Sequence, residues 1–236
     1  MNLFCIPYAG GNEDIFSNWN IGPDITINPI LLKGRKERLL GENYQSMEDA
    51  INDCCEQILL RHNFNTSYCI FGHSMGAVIA YEVYYMLHKM GAPLPNKIIF
   101  SSCNLPGIKF TGKKFSKLED EELVNAIASL GGVDERLLQH REILYFYLNI
   151  FRNDMKLLEE YKPCIYKEPI LSDISVFYSK EDILLDQKSI ERWEKITSRK
   201  CTFHEFQGGH FFINCNKKQL LNELRIELSG SLERNT

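Results

Sequence analysis

Long apolar runs, a basic excess and paired cysteine motifs are all missing from this 236-residue chain. No stretch approaches the roughly 20 consecutive apolar residues needed to span a bilayer, so no membrane partner is expected. The start MNLFCIPYAGG lacks the basic flank and processing site of a secretory signal, and the expected location is the cytoplasm. Lysine and arginine number 27 against 31 acidic residues, a formal charge of -4, which leaves no excess to neutralise a phosphate backbone. Nucleic acid is therefore not expected as a partner. The eight cysteines (Cys5, Cys54, Cys55, Cys69, Cys103, Cys164, Cys201 and Cys215) show neither a C-x-x-C pair nor a zinc-ligand rhythm. Most lie in apolar runs and read as reduced, buried small hydrophobes, and neither a metal nor a cofactor is expected. Fifteen glycines and eight prolines are ordinary usage, which excludes a collagen-like or disordered chain.

What is present is a core: 44% of the residues are hydrophobic, enough for one large domain. Short apolar runs, LFCI, DITINPI, YCIFG, KIIFSS, ISVFYS and CTFHEF, alternate with helical patterns at 47–61 and 76–90. This alternation predicts an α/β fold with a mostly parallel central sheet flanked by helices. Residues from about 104 to 167 break the rhythm with successive helices. Ser116 and Glu119 resemble a capping box, Gly131 and Gly132 stop the run EELVNAIASL, and a helical pattern from Asp134 to Tyr161 suggests a break near Asn153. Strand-like runs resume at Asp173, so the expectation is a single domain over 1–236 with a helical lid inserted at about 104–167.

The sharpest signal is Gly72-His73-Ser74-Met75-Gly76, between the strand YCIF and a long apolar helix. This is G-x-S-x-G in the setting its chemistry needs: a turn tight enough to expose a serine oxygen above a sheet leaves no room for side chains on either flank. Ser74 is the expected nucleophile. The amide of Met75 is expected to supply one donor of an oxyanion hole, and the loop Pro7-Tyr8-Ala9-Gly10-Gly11 the second, with Ala9 preferred over Tyr8. His73 points away from its neighbour at such a bend and is expected to pack beneath it.

A serine hydroxyl needs a histidine within hydrogen-bond reach and a carboxylate behind that. His62, His88 and His140 read as structural or solvated, and His204 sits inside the strand-like run CTFHEF. His210 follows Gly208-Gly209, in a loop after the last strand run, where it can reach over the carboxyl ends of a parallel sheet. The orienting acid is sought after ISVFYS; Asp182 is preferred there, with Asp186 and Glu181 as alternatives.

These residues, together with FCIPYAGG and Trp19, the Gly34-Arg35 and Arg38 cluster, GHSMGA with Glu82, SLGGVDERLL, FRNDMKLLEEY, Trp193 and GGHFF, give a chain that resembles the stand-alone type II thioesterases of nonribosomal peptide and polyketide synthases. These belong to the α/β-hydrolase superfamily. The resemblance implies hydrolysis of acyl, aminoacyl or peptidyl thioesters from the phosphopantetheine arm of acyl or peptidyl carrier protein domains, with Ser74 as nucleophile, His210 as base and Asp182 as orienting acid. It also implies an acidic carrier surface, for which Arg35, Arg38, Lys109, Lys113, Lys114 and Lys117 are candidate partners, although a solvated basic loop is the preferred reading of these residues. Two departures from the family pattern are Lys33 before Gly34-Arg35, where proline is common, and Ser179, where glycine is frequent. A monomer is expected. Phe110, Phe146 and Phe151 are candidates for an acyl pocket or for core. The motifs leave a carboxylesterase or an acyltransferase open as alternatives.

Overall fold

A computed structural model describes residues 1–40, 42–63, 66–108, 114–132, 140–162 and 168–232. Six strands, β1 (Asn2–Ile6), β2 (Thr26–Pro29), β3 (Tyr68–His73), β4 (Lys97–Ser101), β5 (Asp173–Tyr178) and β6 (Cys201–Glu205), form one sheet in the order β2-β1-β3-β4-β5-β6. All five pairings are parallel. The helices are α1 (Met47–Arg61), α2 (Met75–Lys89), α3 (Asp120–Ser129), α4 (Arg141–Glu160), the single turn α5 (Phe212–Cys215) and α6 (Lys217–Leu232). The chain runs from β1 out to β2 and returns on the other side of β1 as β3. The order thus reverses between β1 and β3, and a crevice opens there beyond the carboxyl ends of the strands.

Strand periodicity distributes the core between two layers. Phe4, Ile6, Ile70, Ile98, Phe100, Ile174 and Val176 face the layer that contains α1 and α2. The alternate residues Leu3, Cys5, Cys69, Phe71, Ile99 and Phe177 face Phe16, Trp19 and the Leu220, Leu224 and Leu228 stripe of α6. The inner strands β1, β3, β4 and β5 are covered on both faces and are largely apolar, as a buried parallel sheet requires, while the edge strands β2 and β6 are partly exposed. The α1 start is closed by a capping box in which the Asp49 amide donates to Ser46 Oγ at 3.1 Å and the Ser46 amide donates to Asp49 Oδ2 at 3.1 Å. Helix α2 is buried along nearly its whole length, from Met75 to Leu87. The seven described cysteines are free thiols; Cys164 lies outside the described residues.

Between β4 and β5 the chain inserts α3 and α4. Two local expectations are corrected there. Glu119, not Ser116, caps α3, with Glu122 as its reciprocal partner; the Ser116 amide donates instead to Glu159 Oε1 at 3.0 Å. Helix α4 runs unbroken through Asn153, because Leu144, Leu148, Phe151 and Met155 maintain a buried stripe across it. The expected helix start at Asp134 lies outside the described residues, as do Lys109, Phe110, Lys113 and the end of the expected insertion at Lys167. Arg152 joins α4 to the start of α3, donating to the Leu118 carbonyl and to Asp120 Oδ1, each at 2.5 Å. The Tyr161 hydroxyl, just beyond α4, donates to Glu82 on α2. No described helix is long and apolar enough to cross a membrane.

A buried polar network joins the second layer to the sheet. Glu227 of α6 accepts from Lys97 Nζ, from Ser175 Oγ at 2.9 Å and from His204 Nε2 at 2.7 Å. Burial alone would raise the Glu227 carboxyl, but the hydrogen bonds from His204 and Lys97 and the lysine charge outweigh it and hold its pKa well below the usual value. Because its folded pKa is depressed, its contribution is present above the ordinary carboxylate range and is lost as pH falls through the folded value. Glu227→Ala is expected to reduce unfolding free energy at neutral pH by about 3–5 kcal/mol, since Lys97 is then buried without its partner. Urea titrations check this, and the deficit relative to the wild type should narrow below about pH 4.

Candidate active site

Ser74 sits between the last residue of β3 and the first of α2, at φ 54° and ψ -115°. That conformation is strained for a residue with a side chain, and it persists because its surroundings hold it. The Ser74 amide donates to the Ser101 carbonyl at 2.8 Å, while the Ser74 carbonyl accepts the Ala77 amide at 2.9 Å. The flanking glycines allow the close backbone approach: a Cβ at Gly72 would lie 2.2 Å from the Gly76 carbonyl oxygen, and one at Gly76 would lie 2.2 Å from that of Ile6. The elbow is therefore pressed directly onto the end of β1.

Three elements bring the remaining groups over this point. His210, in the loop after β6, lies with Nε2 2.8 Å from Ser74 Oγ and Nδ1 2.8 Å from Asp182 Oδ2. Asp182, in the loop after β5, also accepts the Leu184 amide at 2.9 Å and the Ser102 hydroxyl. All three of Ser74, His210 and Asp182 are buried. Burial would raise the Asp182 carboxyl, but the His210 hydrogen bond and charge, with Ser102 and the Leu184 amide, outweigh it and keep it below its ordinary pKa. Asp182 is thus held ionised behind the imidazole, as a proton relay from the serine requires.

The other candidate acids and bases lie elsewhere. Asp186 caps the 3-10 segment Gln187–Ile196, accepting the Lys188 amide at 3.2 Å, and Glu181 accepts the Gly208 amide at 3.3 Å. His204 faces Glu223 and Glu227, and His140 and His88 are exposed. His62 is buried beside Phe4 and Tyr68. His73 lies beneath the elbow, with Nδ1 2.8 Å from Ser101 Oγ and Nε2 3.0 Å from the His210 carbonyl. Burial and the neighbouring His210 charge push its pKa down to about 3, so the ring is neutral and donates to the His210 backbone. Ser179, one of the departures from the family pattern, donates to the Gly208 carbonyl and so joins the acid-bearing loop to the histidine-bearing one.

Ser102 is the neighbour that the sequence did not point to. It adopts φ 52° at the end of β4, its amide donates to the Phe177 carbonyl at 2.8 Å, and its hydroxyl reaches both Asp182 and His210. The available signal was the polar pair ending the run KIIFSS, on a strand flanked by those that carry Ser74 and Asp182.

A narrow apolar cavity, open to solvent, meets Ser74 and His210. Its walls include Tyr8 and Ala9 from the loop after β1, and Phe151, Met155 and Leu158 from α4. Phe151 thus reaches the cavity, whereas Phe146 is exposed on the other side of the helix. Arg35 is not available to an acidic partner surface as expected; it is buried in an ion pair with Asp154 of α4. Arg38 is likewise engaged, donating to Asp53 at 2.7 and 2.8 Å. Lys114 and Lys117 are exposed. Among the described residues no cluster of histidine, cysteine and carboxylate side chains is placed to hold a metal ion.

Comparison with known proteins agrees with this geometry. A thioesterase-domain family model matches residues 1–226. The chain is 28% identical over 235 residues to the linear gramicidin dehydrogenase LgrE of Brevibacillus parabrevis, covering 98% of this chain and 88% of that protein. It is similar to the crystal structure of ClbQ from the colibactin NRPS/PKS pathway, with TM-score 0.90 and 27% identity, covering 98% of this chain and 97% of that one. RedJ, the thioesterase of the prodiginine biosynthetic pathway in Streptomyces coelicolor, superposes with TM-score 0.88 and 29% identity, covering 96% of this chain and 85% of that one. With a serine, a histidine and an aspartate joined by hydrogen bonds over the ends of a parallel sheet, and a family match along almost its full length, the chain belongs to the thioesterase-domain family of the α/β-hydrolase superfamily.

Proposed function

We propose that this protein is a type II thioesterase that hydrolyses acyl, aminoacyl or peptidyl groups from the phosphopantetheine arm of carrier protein domains, editing or unloading a nonribosomal peptide or polyketide assembly line. The observation that carries the reading is the unbroken relay from Ser74 Oγ through His210 to Asp182, opening on an apolar cavity. Similarity to ClbQ, named with an NRPS/PKS pathway, and to RedJ, named as a thioesterase of a prodiginine biosynthetic pathway, supports the substrate class. The LgrE name describes a dehydrogenase; the serine relay is what favours acyl transfer to water for this chain. The chain is read as a single cytoplasmic domain acting as a monomer, with the inserted helices covering the site as a lid.

In this reading Ser74 Oγ attacks the thioester carbonyl as His210 Nε2 takes its proton. The carbonyl oxygen becomes an anion that meets the amides of Met75 and Ala9. Met75 opens α2, so its amide has no acceptor within the helix and lies at the positive end of the helix dipole. One such donor is typically worth about 2.7–4 kcal/mol of transition-state stabilisation. The thiol leaves with the proton from His210, and water, activated by the same imidazole, then hydrolyses the acyl-serine. Asp182 keeps the Nδ1 proton in place and stabilises the imidazolium that forms twice per turnover.

Ser74→Ala is expected to fold normally and to lose roughly 10⁴-fold or more in kcat. Asp182→Asn, which favours the wrong histidine tautomer, should lose roughly 10⁴-fold. Full turnover by Ser74→Ala in a thiol-release assay would overturn the assignment.

Ser102→Gly keeps a residue suited to positive φ but removes a hydroxyl donor to a carboxylate, a bond worth about 1.5–3 kcal/mol. Its kcat is expected to fall about 10- to 100-fold.

For the substrate class, kcat/KM should be highest on acyl groups carried by a carrier protein, lower on matched free thioesters and lowest on matched oxygen esters. A preference for the oxygen ester would favour a carboxylesterase, and acyl transfer to an added alcohol or amine would favour an acyltransferase.

A further inference from the structure

The loop after β1 is tied to α4 more tightly than a lid contact requires. The Gly11 amide donates to the Tyr8 carbonyl at 2.9 Å, closing a four-residue turn, and Gly10 at its third position has φ 76°. A positive φ there marks a type II turn, in which the central amide points the opposite way from its direction in type I. That amide, of Gly10, donates to Asp154 Oδ2 at 2.7 Å. The same carboxylate oxygen accepts from the Arg35 guanidinium, whose Nε also donates to the Gly11 carbonyl at 2.5 Å and whose Nη1 donates to the Lys33 carbonyl at 2.7 Å. Asp154 and Arg35 are both buried. Burial raises the Asp154 carboxyl, and the Arg35 charge and the Gly10 amide oppose that shift.

Each of these bonds holds one peptide plane of the turn. The Tyr8 carbonyl and the Ala9 amide are two ends of one plane, held by Gly11. The next plane is held through the Gly10 amide by Asp154, and the one after Gly11 is held through its carbonyl by Arg35. Gly10 also packs on α4 so closely that a Cβ there would lie 3.1 Å from the Cβ of Phe151, a wall of the cavity. We propose that the buried Arg35–Asp154 pair is a positioning device that holds the Ala9 amide in its oxyanion-binding orientation, so that the site is competent only while α4 is seated on the loop. The inference rests on the reading of Ala9 as an oxyanion donor.

Arg35 and Asp154 touch no reacting atom; they act through the turn. Their loss therefore lowers transition-state stabilisation and leaves ground-state binding in the cavity nearly intact. Misplacing a catalytic donor by about 1 Å is worth about 10²-fold, so Asp154→Ala is expected to lower kcat roughly 10- to 100-fold on a free acyl thioester, with KM within about threefold. It should weaken a trifluoromethyl ketone analogue, which forms an oxyanion on Ser74, by the same factor as kcat/KM.

Because Asp154→Ala strands a buried arginine and threatens folding, the deciding variant is the double replacement Arg35→Met, Asp154→Leu. This removes both charges, retains apolar volume and should melt near the wild-type temperature. The inference predicts that it regains stability but not kcat or analogue affinity. Wild-type kcat and analogue affinity in the stable double variant would overturn it, showing that the pair serves stability alone. If the wild-type protein itself hydrolyses no thioester, the functional reading fails instead, and the two failures are told apart by that control.

Discussion

A backbone contact with no room for a methyl group underlies the whole arrangement. Gly76, in the first turn of α2, lies against the Ile6 and Pro7 carbonyls at the end of β1, and Gly72 lies against the Gly76 backbone. Only this approach allows β3 to turn into α2 within one residue, forcing Ser74 into its strained conformation and lifting its oxygen above the sheet. The strain is held by the Ser101 carbonyl on one side and the first turn of α2 on the other. Because β1 is the strand pressed by Gly76, the same contact sets the loop after β1 beside the serine. Ser74 and the proposed oxyanion loop are neighbours for one physical reason.

Sheet order then supplies the rest. β3, β4, β5 and β6 lie side by side and parallel, so their carboxyl ends deliver Ser74, Ser102, Asp182 and His210 to one edge. Paired loops keep these groups in register: Ser179 bonds Gly208, His73 bonds the His210 backbone, and Asn104 bridges the Leu184 carbonyl and the Asp186 amide. The inserted helices complete the apolar wall that a thioester acyl chain would meet. α4 bonds the start of α3 through Arg152 and the loop after β1 through Asp154, and Tyr161 just past its end bonds α2.

Much of this was legible in the sequence because it is written in local signals. G-x-S-x-G stands where a period-two run gives way to a helical one, and GGH follows the last strand run, so Ser74 and His210 are marked by their immediate neighbours. Asp182 needed chain order and strand placement as well. The parallel sheet followed from alternating runs, since strands buried on both faces are apolar throughout. What was not legible depends on pairing across long separations. Arg35 and Asp154 are 119 residues apart, and the resemblance to carrier-binding thioesterases made Arg35 a candidate surface cation rather than a buried one. Ser102 stood among ordinary strand-end serines, and only the position of β4 between β3 and β5 gives it a role. Asn153 suggested a helix break, yet the apolar stripe on the buried face carries α4 through it. Ser116 offered a capping signature, but Glu159 engages it and Glu119 caps the helix.

The central claim is that Ser74 is made nucleophilic by His210. Treatment with an organofluorophosphate, read by intact mass and peptide mapping, tests it most directly. The account predicts one adduct, on the peptide containing Ser74, formed in step with loss of thioester hydrolysis and absent in His210→Ala. Continued full hydrolysis after complete labelling of Ser74, or equally fast labelling in His210→Ala, would contradict it.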